Sequence, residues 1–177
     1  MKKKFVISSI MVLPLILILI GYGYYNLKSN SVYYAKNTPH KEGAEPVLMM
    51  LIDNLGWIYN PDIDGIKYDF DGEPAIQMFD SKDEQIGFIT SANIHEKSGY
   101  LFQNIRTGTM YEFDYKFKME KVYNSSDSIY EIEATTFNER DVKNDIHEIL
   151  KTLIDRQTKP LINLQWIFDR VYRDKFN

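Results

Sequence analysis

The distribution of apolar and polar positions changes character four times along the chain. Phe5 to Tyr25 are 21 consecutive uncharged residues behind Lys2, Lys3 and Lys4, with Leu15-Ile16-Leu17-Ile18-Leu19-Ile20 at their centre. At 1.5 Å per residue they make a helix of roughly 31 Å, about the thickness of a bilayer's hydrocarbon core. Residues 26–45 are largely polar, contain Asn, Ser, Lys, Thr, Pro and Gly, and read as a short tether. At Pro46 the spacing becomes helical. Val47, Leu48, Leu51, Ile52 and Leu55 share a face, proline is tolerated at a first helical position, and Gly56 is a natural stop.

Beyond Trp57 the period falls towards two. Strands are expected around Ile66–Phe70, Ala75–Phe79, Ile86–Ile94, Tyr100–Ile105, Thr109–Met119 and Ile129–Phe137. Turn-forming pieces separate them: Asp71-Gly72-Glu73-Pro74, Asp80–Glu84, Glu96-Lys97-Ser98-Gly99 and Asn124-Ser125-Ser126-Asp127. In the stretch from Met110 to Met119 the odd positions are Tyr, Phe, Tyr, Phe and Met and the even ones mostly charged, the mark of an antiparallel sheet wet on one side. Helical spacing then returns twice. Asn138 caps a helix with Glu139 and Asp141 in its first turn and Val142, Ile146, Ile149, Leu150, Leu153 and Ile154 on one face. Pro160 opens another carrying Leu161, Leu164, Ile167, Phe168, Val171 and Tyr172. The expected fold is therefore α+β. After an N-terminal transmembrane helix (1–25) and a tether (26–45) comes a domain (46–177), an antiparallel β-meander of five or six strands with one preceding helix and two C-terminal helices.

Charge sharpens this organisation. Of the 21 basic residues four (Lys2, Lys3, Lys4 and Lys28) lie in residues 1–30, where there is no acid, which leaves 17 against 25 acids, a net −8, on the rest. The lysines place the N-terminus in the cytoplasm and the domain outside. Tyr22, Tyr24 and Tyr25 fall where an interfacial aromatic belt belongs. The competing reading is a cleaved signal peptide with Gly21-Tyr22-Gly23 at its processing site, which would secrete the same domain. So acidic a domain repels phosphate backbones, which speaks against a nucleic-acid partner. With no cysteine there is no disulfide, thiolate metal site, thiol nucleophile or lipidated cysteine, a composition that suits a Gram-positive envelope.

Catalytic chemistry finds little footing. Asn60 to Asp71 has the spacing of a calcium loop, with oxygen-bearing residues at positions 1, 3 and 5, Gly65 at 6 and an acid at 12. Asn stands at position 1, Lys67 at 8 and Asp at 12, and Ile66–Phe70 reads as a strand, so the stretch is expected to be a turn into a hairpin. His40, His95 and His147 share no motif, and His147 points off the apolar face of its helix as a solvated side chain. No Gly-x-Ser-x-Gly, Ser-x-x-Lys or phosphate-cradling glycine loop is present. Neither a metal nor a cofactor is expected, and paired carboxylates for wall hydrolysis are weakly supported. What remains is a tyrosine-rich sheet beside clustered acids, in which Asp62, Asp64, Asp69, Asp71 and Glu73 are the candidate contacts for a basic protein partner.

The layout as a whole, a lysine-led apolar helix, an exit of tyrosines, a small sheet domain and a last helix reading Leu164-Gln-Trp166-Ile-Phe168-Asp-Arg-Val-Tyr-Arg-Asp-Lys-Phe176, resembles the TipC family of immunity proteins. The resemblance implies a non-enzymatic protein displayed outside the cytoplasmic membrane. There it would bind and neutralise a secreted LXG-type toxin that attacks the cell-wall lipid precursor. It carries over no individual toxin contact. The alternative expectation is an exported envelope accessory or sensor subunit with a membrane partner.

Overall fold

The structure is a computed structural model that describes residues 2–94, 97–124, 130–132 and 137–177. Helix α1 (Lys2–Ser29) is long and apolar enough to cross a membrane over Val12–Ser29, and its aliphatic side chains from Val12 to Ile20 are exposed. Two short helices follow, α2 (Ser31–Ala35) and α3 (Pro46–Asp53), the latter with Pro46 in its first turn as expected.

The segment expected to be a loose tether is instead part of the domain. Val32 and Tyr34 on α2 are fully buried, Ala35 nearly so, and Asn26 on the last turn of α1 is buried as well. The reason is a set of buried polar partners that composition does not reveal. The Tyr34 hydroxyl donates to Asn26 Oδ1 (2.6 Å) and accepts from the Leu164 N–H (3.1 Å), while Asn26 Nδ2 donates to the Ile162 carbonyl (3.2 Å). Gln165 Nε2 donates to the Tyr34 carbonyl (3.0 Å), Thr38 Oγ1 pairs with Asp169 Oδ1 (2.9 Å), and the Lys41 N–H reaches the Phe176 carbonyl (3.0 Å). Tyr34 also packs against Phe168, with ring centroids 5.3 Å apart and planes tilted by 34°. Polar side chains are here the means of burying a segment, because each finds a partner.

The sheet has seven strands in sequence order, all antiparallel: β1 (Ile66–Asp69), β2 (Ala75–Phe79), β3 (Gln85–Ile94), β4 (Lys97–Asn104), β5 (Thr109–Asp114), β6 (Met119–Asn124) and β7 (Tyr130–Ile132). The α+β meander is thus as expected, with one strand more than expected. The extra strand, β6, lies almost wholly beyond the expected Thr109–Met119, a stretch that does not run through as a single strand but ends at Asp114. The Asp114 carboxylate accepts the N–H groups of Lys116 and Lys118 (2.8 Å each) and turns the chain, with Phe117 at φ +62°. A bulky residue in the left-handed region costs energy. Phe117 offsets that cost by being wholly buried, stacked on Phe113 with ring centroids 4.6 Å apart and tilted against Tyr100 at 4.9 Å. Lys97, Ser98 and Gly99, expected in a turn, belong to β4. His95, Glu96, the Ser125–Asp127 turn and most of the strand expected at 129–137 lie outside the described residues.

Register assigns the faces. Ile76, Ile89, Phe102, Tyr111 and Val122 stand side by side across the sheet and are buried with Met78, Tyr100 and Phe113. They share one core with α3, with α4 (Glu139–Asp155) and with α5 (Gln165–Phe176). Asn138 caps α4 by accepting the Arg140 N–H, as its position predicts. Ile149 is an exception on the expected apolar face, since it is exposed. Helix α5 starts at Gln165, not at Pro160, because the Ile162 carbonyl and Leu164 N–H are committed to Asn26 and Tyr34, and Leu161 is left projecting. The β1 edge of the sheet is short, at four residues.

Tyr34→Phe leaves Asn26 Oδ1 and the Leu164 N–H without their buried partner, and is expected to cost about 1–3 kcal/mol. Thermal unfolding should shift down by about 2–4 °C for each of those kcal/mol. Asn26→Ala breaks the same set of bonds, so the double variant should lose less than the sum of the two. Strict additivity in that cycle would mean that α1 is not bonded into the domain through this pair.

Candidate functional site: the uncovered face of the sheet

All the helices that share the core pack against one face of the sheet, and among the described residues nothing covers the other. Two cross-strand rows define that uncovered face. One reads Lys67, Gln77, Phe88, Gln103, Met110, Tyr123, Glu131, and the next Asp69, Ala75, Thr90, Leu101, Glu112, Lys121. Phe88, Leu101, Met110 and Tyr123 are half-buried at its centre, while charged residues occupy both edge strands, Lys67 and Asp69 on β1 and Glu131 on β7. An apolar, partly aromatic centre with a polar rim is the anatomy of a protein-binding patch.

The polar groups of this face are held in place. Glu112 is only 9% exposed and accepts from the Tyr123 hydroxyl (3.3 Å), and burial raises the Tyr123 phenol above its ordinary pKa, so it stays a donor. Lys121 pairs with Glu131 (3.1 Å), which raises the lysine pKa. At the other edge Lys67 pairs with Asp83 (2.8 Å) and sits over the Phe79 ring, 4.0 Å from its centroid. These pairs are exposed and contribute little to stability, but they fix where charge is presented.

The five acids singled out in the sequence do not form one cluster, because β1 separates them. Asp69 lies on the uncovered face, where its carboxylate accepts from Gln77 Nε2 and from the Asp71 N–H (2.9 Å each) and so shapes the β1–β2 turn. Asp71 and Glu73 are exposed in that turn. Asp62 and Asp64 lie past the opposite end of β1, exposed beside the Asp80–Glu84 turn and lining with it a cavity of about 440 Å³. Asp80 is occupied there: the Lys82 and Glu84 N–H groups hold its carboxyl below the usual range. The calcium-loop positions are divided in the same way. Asn60 donates to the Leu55 carbonyl, and Ile66–Asp69 is a strand. Among the described residues no group of three or more His, Asp or Glu side chains converges as a metal site.

His147 departs from the expectation of a solvated side chain. Its Nε2 is 2.8 Å from Glu45 Oε2, joining α4 to the residue that precedes α3. The sheet face itself was legible only in part. The alternation from Met110 to Tyr115 marks a two-faced strand, but Phe88, Leu101 and Tyr123 are apolar on the wet side and carry no such signal.

Tyr68, on the core side of β1, donates its hydroxyl to the Pro61 carbonyl (2.8 Å), and burial pushes its pKa from 10.0 up to about 12. The unfolded chain therefore releases this proton before the folded one does. The contribution of Tyr68 to stability is full below pH 10 and is lost as the pH rises towards about 12. Urea unfolding measured across that range should show a shallower alkaline decline in Tyr68→Phe than in the parent.

Compared with protein-family models, with curated proteins and with solved structures, the chain matches none.

Proposed function

We propose that this chain is a membrane-anchored, outward-facing immunity protein that binds and neutralises a secreted antibacterial toxin of the LXG type through the uncovered face of its sheet. The observation that carries the reading is that face: a half-buried centre of Phe88, Leu101, Met110 and Tyr123, ringed by charge and left bare by every helix that shares the core. A patch of this composition is suited to excluding water against a partner protein. The layout resemblance to the TipC family agrees with it.

The rest of the mechanism follows from placement. Helix α1 serves as the anchor, with its N-terminal lysines inside and the domain outside. Anchoring concentrates the inhibitor on the surface where its partner works, so capture is favoured without additional contacts. Asp71 and Glu73, exposed beside the face, draw a basic partner towards it, and the apolar centre then holds it. The protein acts by occupying its partner's surface and needs no chemistry of its own.

The test uses the full chain in lipid nanodiscs as bait for secreted proteins of a producing strain. Expected is one toxic partner retained in equal amount, and lost when Leu101→Glu is placed at the centre of the face. Asp71→Lys with Glu73→Lys should slow association roughly tenfold at low salt and flatten its salt dependence. Co-purification of a membrane complex, with no secreted partner, would instead identify an envelope accessory subunit.

A further inference from the structure

Where α1 leaves its aliphatic run, two loops of the domain come back to meet it. Trp57 packs edge-on against Tyr24, ring centroids 5.8 Å apart and planes perpendicular. The Ile162 carbonyl is bonded to Asn26. Between the loops and the last turns of α1 lies a cavity of about 540 Å³ whose lining includes Tyr22, Tyr25, Trp57, Tyr59, Lys159 and Leu161. Its rim is apolar and open: Leu161 is 99% exposed, Trp57 46% and Tyr59 57%, and Ile162 projects beside them. A leucine so bare beside exposed tryptophan and tyrosine gains free energy when something apolar covers it.

Height along α1 identifies what does. Tyr24 lies four residues beyond Ile20, roughly 6 Å past the end of the aliphatic run at 1.5 Å per residue. The headgroup layer on each side of a bilayer is about 5–7 Å thick. Trp57, packed against Tyr24, therefore stands within that layer when the hydrocarbon ends at Ile20, and Leu161 lines the same cavity as Tyr22 and Tyr25. Charge agrees. In a chain of 25 acids none lines this cavity, and the cation among its lining residues is Lys159. Tryptophan and tyrosine rings with a lysine are the residues that rest at a membrane surface.

We propose that this collar (Trp57, Tyr59, Leu161 and Ile162, around Tyr22 and Tyr25) seats the domain in the headgroup layer of the bilayer that α1 enters, with a phospholipid phosphate held at the cavity by Lys159. The inference rests on the reading of α1 as a membrane anchor. The domain then does not float on a leash: it sits on the lipid, at one height and in one orientation.

The chain has two tryptophans, so Trp166→Phe leaves Trp57 as a single reporter. The full chain is reconstituted in vesicles of phosphatidylcholine and phosphatidylglycerol carrying bromine at shallow or deep acyl positions. Expected is quenching of Trp57 by the shallow bromines and protection from aqueous acrylamide. Leu161→Asp with Lys159→Glu should reduce that quenching by roughly half without changing the fold, because both side chains are exposed. A second reporter, Leu13→Trp in a chain lacking both native tryptophans, reads the anchor separately. If this anchor reporter is quenched by the deep bromines while Trp57 is open to acrylamide, the seat is refuted and the anchor stands. Trp57 shielded from acrylamide but untouched by brominated lipid would also refute it, in favour of a protein neighbour. If the anchor reporter is not quenched either, the anchor reading fails and the seat with it.

Discussion

The orientation of the whole domain depends on one buried hydroxyl. Tyr34 joins three parts of the chain that are remote in sequence: the end of the apolar helix through Asn26, the short helix it belongs to, and the start of the last helix through Leu164. Each partner is an amide or carbonyl that would be costly to bury alone. Together they turn a junction of polar residues into a rigid one. The Phe168 ring beneath Tyr34 extends the same joint into the hydrophobic core, and Tyr172 and Phe176 continue the aromatic stack along α5. A rotation or tilt of α1 is therefore transmitted to the sheet.

The sheet answers a different constraint. A single layer of helices can bury only one of its faces, so the other must be stable in water or in a partner's grasp. Here the exposed side is not uniformly polar. Its charges sit at the edge strands and in Glu112 and Lys121, where hydrogen bonds and cross-strand pairing hold them, and the middle is left to Phe88, Leu101, Met110 and Tyr123. Stability alone would favour more threonine and lysine there. The composition of that centre is the strongest functional signal in the molecule.

Elements with a strong local period were legible in the sequence: α3 behind Pro46, α4 behind the Asn138 cap, and the strands β2, β3 and β5. Features that depend on distant partners were not. Residues 26–38 look like a tether because their side chains are polar, yet those side chains are what bind the segment to residues 162–169. Phe117 occupies a turn position that ordinarily calls for glycine or asparagine, so the reversal after Asp114 carries no conventional turn signal and is set by aromatic packing. The acids from Asp62 to Glu73 are close in sequence but divided by the length of β1, since a strand separates its two ends as far as its residues can reach. Their grouping as one site was an effect of reading along the chain.

If α1 holds the domain at a membrane as proposed, the shortness of β1 has a consequence on a crowded surface. Proteins held to a plane lose the freedom to diffuse away from one another, and like copies meet repeatedly at similar heights and attitudes. A long bare edge strand would then pair with its neighbour's and grow a sheet across molecules. At four residues, Lys67 and Asp69 among them, the β1 edge offers too little backbone to start such a ladder. On the β1 side the meander can thus carry an open, partly apolar face without offering a neighbour's strand a place to pair.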